Sequence, residues 1–129
     1  MGQKRYITLY HFCADFCLSS ILKNGLTMGS TPIFENGSLR VEGGTQWLTK
    51  DGNPDRQSWN TQSTLPYSRT ARRLTINIPY SHRKKIVPAH DFMAQYPAEN
   101  AELVDGWTGS EHWFVYRGKI PPSWIVGHR

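Results

Sequence analysis

Two ionisable residues stand at the ends of stretches whose composition predicts β-strands. His11 closes residues 6–11, where β-branched and aromatic residues favour a strand and alternation places the imidazole on the apolar face. Glu111 opens residues 110–117, and the same alternation places its carboxylate on the face of Trp113. Such a carboxylate can bind a hydroxyl group and stabilise developing positive charge, whereas a histidine at a strand end can bind a ligand or simply pack. Spacing alone leaves open whether the two side chains meet.

Cysteine and metal chemistry is less well supported by the sequence. Cys13 and Cys17 lie one helical turn apart close to His11, but a zinc site lacks a second pair of ligands because the other histidines are scattered. No nucleophile elbow surrounds either cysteine, and the chain has no P-loop and no glycine-rich dinucleotide fingerprint. We therefore expect no metal site and two cysteines that pack as small apolar groups.

The charge balance points towards anionic partners. The 129 residues carry a formal net charge of +5, and the isoelectric point is about 9.4. This favours a polyanion such as nucleic acid or a phosphate-bearing cofactor, although many small domains are basic for no specific reason. Five tryptophans within an aromatic content of 12% are enough to line a site that stacks planar ligands.

The length predicts one domain, over residues 1–129, that buries a core without disulfides. No apolar run approaches the roughly 20 residues that a membrane span requires, and residues 1–5 lack the apolar core of a secretory signal. We expect a cytoplasmic protein without a membrane partner.

A helix is predicted directly after the strand that carries His11. Asp15 is placed to cap its first turn, and Gly25 is placed to end it with a left-handed backbone. Apolar residues follow at helical spacing between them: Leu18, Ile21 and Leu22.

Strands account for most of the remaining pattern. Asn36-Gly37 predicts a hairpin turn, Thr45–Thr49 a short strand and residues 70–79 the clearest strand of the chain. The latter strand places Arg72 on an apolar face, where a guanidinium needs an anion or a rim position. Residues 50–69 are polar and aperiodic, as in loops that cover a site. Strands outnumber helices, so the predicted class is α+β around a mostly antiparallel sheet.

The order of these motifs resembles the ADP-ribosyltransferase superfamily, in particular the branch of DarT-like DNA-modifying toxins and RNA 2′-phosphotransferases, together with the poly-ADP-ribose polymerases. Leu9-Tyr10-His11, followed by Ser20-Ile21-Leu22-Lys23-Asn24-Gly25-Leu26, is similar to its first strand and helix. Thr45-Gln46-Trp47-Leu48-Thr49 is similar to its second motif. Ser110-Glu111-His112-Trp113-Phe114-Val115-Tyr116 is similar to its acidic third motif. The ending Gly118-Lys119-Ile120-Pro121-Pro122-Ser123-Trp124-Ile125 is similar to its closing segment.

The resemblance implies a split, bent antiparallel sheet with one main helix after the first strand, and NAD as the ADP-ribose donor. It implies that His11 binds the nicotinamide ribose, that Trp47 stacks on nicotinamide, and that Glu111 holds the ribose 2′-hydroxyl as the principal catalytic residue. Four further residues are expected to bind NAD: Tyr10, Thr45, Arg69 and Arg72. Tyr10 and Thr45 lie in the same motifs, and one of the two arginines, at or near the clearest strand, meets the diphosphate.

The implied activity is transfer of ADP-ribose to a macromolecular acceptor, nucleic acid or protein, with release of nicotinamide. In a toxin of this kind, an antitoxin or inhibitor protein is a further expected partner. Two alternatives stay open. One is a small basic domain that binds or cleaves RNA through His11, His82 and Arg72. The other is a catalytically inactive transferase-like fold kept as a binding module.

Overall fold

The computed structural model describes residues 5–27, 29–53, 71–107 and 109–129, and it confirms the predicted α+β class. Its strands are β1 (Tyr6–Cys13), β2 (Ser30–Glu35), β3 (Ser38–Gly43), β4 (Thr45–Thr49), β5 (Arg72–Pro79), β6 (Ile86–Pro88), β7 (Trp113–Arg117) and β8 (Ile125–His128). Its helices are α1 (Leu18–Asn24), α2 (Ala89–Met93) and α3 (Ala98–Asp105). Among the described residues, four 3₁₀ turns accompany them, at Asp15–Cys17, Tyr80–Lys85, Ser110–His112 and Pro122–Trp124.

Six strands form one antiparallel sheet in the order β6-β7-β4-β1-β5-β8, and β2 and β3 form a separate two-stranded sheet. β1 and β5 pair along their whole length, from Tyr6 opposite Pro79 to Cys13 opposite Arg72. In contrast, β1 and β4 share the single register pair Tyr10–Thr49. The large sheet is therefore nearly divided between β1 and β4.

Alternation in β1 and β5 builds the first core. Leu74, Ile76 and Ile78 are fully buried on one face of β5, as their parity predicts, and Leu9 packs with them. Register pairing sets His11 opposite Leu74, so the imidazole lies on this apolar face at the end where the core stops. The predicted position of His11 is thus confirmed.

A second core lies on the other side of β7, under α2 and α3. Its buried residues are Ile33, Ala89, Phe92, Met93, Val104, Trp113 and Val115. The β2–β3 hairpin closes it from one side, and its turn has positive φ at both Asn36 (53°) and Gly37 (76°). This is the backbone that an Asn-Gly hairpin predicts.

Some predicted details are wrong. Ser110–His112 form a 3₁₀ turn entered through Gly109, whose φ is 87°, so Glu111 precedes β7 and leaves the alternation of that strand. Asp15 makes no capping bond to α1, because the N-cap residue is Cys17 and the Asp15 carboxylate pairs with Arg72. The expected helix after β1 is present as α1, but within the described residues α2 and α3 accompany it, and α3 is one residue longer than α1.

The end of α1 follows the prediction, since Gly25 has a φ of 82° and its N–H donates to the Ile21 carbonyl at 2.7 Å. Most of the predicted loop at residues 50–69, including Arg69, lies outside the described residues. Within the parts of the chain that are described, no helix has the length and apolar character needed to cross a membrane.

Candidate functional site

A cleft of about 520 Å³ opens where β1 ends and α1 begins. Its walls come from four parts of the chain: the end of β1, the 3₁₀ turn with α1, the described residues between α1 and β2, and Gln46 of β4. Eight lining residues supply its polar, thiol and glycine surface: His11, Cys13, Cys17, Ser20, Gly25, Thr27, Gly29 and Gln46. The volume lies within the range of about 300–1,000 Å³ that small-molecule sites occupy.

A hydrogen bond across the division of the sheet fixes the ring of His11. Its Nδ1 lies 2.8 Å from the backbone oxygen of Trp47 in β4. A carbonyl oxygen only accepts, so Nδ1 donates and Nε2 becomes the basic nitrogen of the neutral ring. The half-buried imidazole is thereby oriented in the wall of the cleft.

Gln46 is the residue of β4 that lines the cleft. The sequence did not predict it as a site residue. Gln46 is 2% exposed, and its Nε2 donates to the Gly118 carbonyl at 3.1 Å. Gly29 lies against it, because a Cβ on Gly29 would come within 2.3 Å of Gln46 Oε1 and 2.1 Å of the Thr45 carbonyl oxygen. Only glycine fits there. The alternation of β4 contained the signal, since Gln46 and Trp47 must point to opposite faces.

Thr45 and Trp47 use their side chains on that opposite face. Trp47 Nε1 donates to Thr31 Oγ1 at 2.8 Å, and Thr31 Oγ1 lies 2.8 Å from Thr45 Oγ1. The indole also packs edge-on against Trp113, with ring centroids 6.2 Å apart. Trp47 therefore contributes its backbone oxygen to the cleft through His11, while its ring joins β4 to β2 and β7.

Tyr10 also points away from His11, as expected for neighbours in a strand. The guanidinium carbon of Arg73 lies 5.2 Å from the centroid of the Tyr10 ring, and Arg73 Nη1 donates to the Gly52 carbonyl at 2.9 Å. Arg72, the neighbour on the opposite face, forms an ion pair with Asp15 beside the cleft. Its side chain is 39% exposed, so Arg72 has both an anion and a partly exposed position, the two alternatives that the sequence left open.

Burial controls the chemistry of Cys13 in the cleft wall. Removal from water, with a smaller contribution from the neighbouring Cys17, raises the pKa of the Cys13 thiol to about 11. Cys13 is therefore protonated at neutral pH and offers the cleft an uncharged, weakly polar surface. The described residues contain no group of three or more His, Cys, Asp or Glu side chains placed to hold a metal ion.

Glu111 lies in a different depression from His11. Its exposed carboxylate is 3.6 Å from Nε2 of His112 and lines a hollow of about 330 Å³ together with Ser110, Trp113 and residues of α2 and α3. In the same hollow, His90 Nδ1 lies 2.8 Å from one carboxylate oxygen of Asp105 and 2.9 Å from the other. This hydrogen bond raises the pKa of His90. The structure thus does not bring His11 and Glu111 into one cavity.

Both residues nevertheless flank β4. His11 bonds to the backbone of Trp47, while Lys50, directly after β4, donates its backbone N–H to the carbonyl of His112 at 3.0 Å. Compared with protein-family models, characterised proteins and solved structures, the chain shows no match. What the site does must therefore be argued from its own residues.

Proposed function

We propose that the protein is an NAD-dependent ADP-ribosyltransferase that transfers ADP-ribose to a macromolecular acceptor and releases nicotinamide. The observation that carries the proposal is the position of His11. The first-motif histidine stands at the wall of a ligand-sized cleft, held in one tautomer by the strand that carries the second motif. The near division of the sheet between β1 and β4, with α1 directly after β1, supports an architecture of ADP-ribosyltransferase type.

In the proposed mode of binding, NAD occupies this cleft. His11 contacts the hydroxyls of the nicotinamide ribose, Gln46 offers an amide to a polar ring substituent, and Gly29 lets the ligand approach the backbone closely. Arg72 exchanges Asp15 for the diphosphate, whose negatively charged oxygens can accept two hydrogen bonds from one guanidinium. Trp47 acts through its carbonyl, so stacking on its ring, which the resemblance implied, is not part of the proposal.

Glu111 supplies the negative charge that the chemistry needs. Cleavage of the bond between ribose C1′ and the nicotinamide nitrogen sends the electron pair to nicotinamide, which leaves neutral, and positive charge develops on the ribose. A carboxylate bonded to the 2′-hydroxyl stabilises that charge until the acceptor attacks C1′ and loses its proton. The proposal places the ribose between His11 and Glu111, across the end of β4, where Thr49 pairs with Trp113.

A second candidate function is favoured by the composition of the cleft. The described residues that line it include no carboxylate. A site without one can bind NAD but has no group to stabilise an oxocarbenium-like transition state. The chain would then be a nucleotide-binding module that does not catalyse transfer.

One set of measurements separates the two candidates. NAD binding is measured by calorimetry, and nicotinamide release and label transfer are measured with labelled NAD in the presence of DNA, RNA or cell lysate. For a transferase, Glu111→Gln keeps NAD binding and slows release by about a hundredfold or more, while His11→Ala weakens binding. Glu102→Gln and His128→Ala are matched controls, because both side chains are exposed and line neither the cleft nor the Glu111 hollow.

Each result has a defined reading. NAD binding without turnover in the unmodified protein supports the binding module. Turnover that survives both Glu111→Gln and His11→Ala overturns the catalytic assignment. Absence of NAD binding overturns both candidates.

A further inference from the structure

Charge is sharply segregated along this chain. Residues 71–88 and 112–129 contain eight Lys and Arg residues and no Asp or Glu. Residues 89–111, which form α2, α3 and the turn before β7, contain five Asp and Glu residues and no Lys or Arg. Within residues 71–129, the basic and the acidic side chains therefore lie in separate stretches of the chain, and a polyanion is attracted to the basic stretches.

The fold gathers part of the basic charge into one rim. The 3₁₀ turn Tyr80–Lys85 leads into β6, and β6 pairs with β7, after which Lys119 follows. The side chain of Lys85 lies close to Gly118, the residue before Lys119, since its Nζ is 4.0 Å from the point where a Cβ on Gly118 would stand. We call Arg83, Lys84, Lys85 and Lys119 the basic rim. Within the described parts of the chain, none of these four side chains forms an ion pair with a carboxylate.

The basic rim borders the His11 cleft. Gly118, before Lys119, accepts the hydrogen bond from the cleft residue Gln46. Ile120, after Lys119, exchanges two backbone hydrogen bonds of 2.9 and 3.0 Å with Leu26, another cleft residue. Lys119 is thus fixed between two contacts to the cleft wall. A chain of phosphates held on the rim would pass the mouth of the cleft.

Aromatic side chains accompany the charges on this rim. Tyr80 is 44% exposed, and the Arg83 guanidinium carbon lies 4.5 Å from the centroid of its ring. His82 packs against the half-buried Trp124, with ring centroids 4.8 Å apart. Rings beside cations that form no ion pair with a carboxylate suit a nucleic acid, because its bases stack on the rings and its phosphates pair with the charges. The Tyr80–Lys85 turn has no aliphatic side chain to insert into lipid, so a nucleic acid is favoured over an anionic membrane.

We propose that the basic rim binds single-stranded nucleic acid and lays it along the mouth of the His11 cleft. The phosphates pair with Arg83, Lys84, Lys85 and Lys119, and Tyr80 offers a ring for stacking. This binding needs no NAD and no bond cleavage, so it goes beyond the proposed transferase and stands whether or not nicotinamide is released.

The test is fluorescence anisotropy with labelled 20-nucleotide single strands, one DNA and one RNA, at several salt concentrations without NAD. We expect binding whose logarithmic salt slope becomes shallower by about 0.7 for each phosphate contact removed. The triple variant Lys84→Gln, Lys85→Gln, Lys119→Gln should lose on the order of tenfold or more in affinity at moderate salt. Arg40→Gln removes one charge from the hairpin and is the control for the single variant Lys119→Gln.

Circular dichroism tests whether each variant is folded. If the triple variant does not fold, the single variant Lys119→Gln is used in its place. A reduced salt slope in the rim variants, with the slope of Arg40→Gln unchanged, supports the proposal. No binding of either strand by the unmodified protein overturns it. Equal affinity and slope in the rim variants also overturn it, as does tighter binding to vesicles rich in phosphatidylserine than to either strand.

Discussion

Burial makes the two cysteines of the cleft chemically different. Because the pKa of Cys13 is raised to about 11, only about a thousandth of this thiol is ionised at pH 8. Cys17 is partly exposed on the adjoining 3₁₀ turn. We expect iodoacetamide at pH 8 to label Cys17 well before Cys13 in the folded protein, as measured by peptide mass spectrometry. Both should react at similar rates in urea, and equal labelling in the folded protein would contradict the burial of Cys13.

Asp15 competes with the ligand in the proposed mode of NAD binding. Its carboxylate occupies Arg72, and both side chains are partly exposed, so the pair itself adds less than about 1 kcal/mol to stability. Asp15→Asn should therefore tighten NAD binding by up to about fivefold, whereas Arg72→Gln should weaken it. Titration calorimetry measures both. Weaker binding by Asp15→Asn would show that Arg72 does not meet the diphosphate.

His11 illustrates what could be read from single residues in the sequence. Strand alternation predicted the face on which it lies, and the structure agrees. Its bond to the Trp47 carbonyl could not be predicted, because it depends on how β1 and β4 diverge. Alternation also predicts the face of β4 on which Gln46 lies, but an isolated glutamine gives no indication of a ligand site.

The side chain of Asn100 in α3 forms hydrogen bonds with the backbone of β2, as a neighbouring strand would. Its side chain is fully buried, accepts the Phe34 N–H at 2.7 Å, and donates to the carbonyls of Phe34 at 2.8 Å and Pro97 at 2.9 Å. Asn100→Ala leaves the N–H and the carbonyl of Phe34 in β2 without these partners, whereas the Pro97 carbonyl keeps the backbone N–H of residue 100. We expect a loss of about 2 kcal/mol in the free energy of unfolding. Urea denaturation measures it. Asn24→Ala, at an exposed position, should change stability by less than about 0.5 kcal/mol. Equal losses in the two variants would show that the Asn100 side chain does not stabilise the contact between β2 and α3.

The bond between His90 and Asp105 ties α2 to α3 in a pH-dependent way. Asp105 raises the pKa of His90 above its ordinary value of 6.5, so the stabilisation is complete below that value and is lost as pH rises through the folded-state pKa. Asp105→Asn should therefore destabilise the protein at pH 5.5 and have little effect at pH 8.5. Denaturation at both pH values tests this, with Glu102→Gln on the same helix as control. The same loss at both pH values would contradict the ionic origin.

At the level of elements, alternation and turn residues predicted β1, β4, β5 and the hairpin. Prediction failed where a backbone conformation, not a side-chain pattern, decides. The left-handed Gly109 starts a 3₁₀ turn inside an apparently continuous strand pattern and so displaces Glu111. α2 has five residues, too few for a helical period to be visible.

For the whole molecule, composition and pattern predicted the α+β class but not the strand order. Pairing between distant segments decides that order, and local sequence carries little information about it. The basic rim shows the same limit. Its charges are visible in the sequence as two separate blocks, but only the pairing of β6 with β7 brings Lys85 beside Gly118.

The single register pair between β1 and β4 has a consequence for motion. Local unfolding begins where few backbone bonds must break together, and β1 is joined to β5 by eight register pairs but to β4 by one. Amides of β1 that face β4 should therefore exchange with deuterium faster than those that face β5, and NAD should slow the first set selectively. Uniform protection along β1 would mean that the sheet opens as one unit. If exchange follows the expected pattern, β1 and β4 can separate locally at this boundary. The cleft can then admit a ligand without disturbing either core.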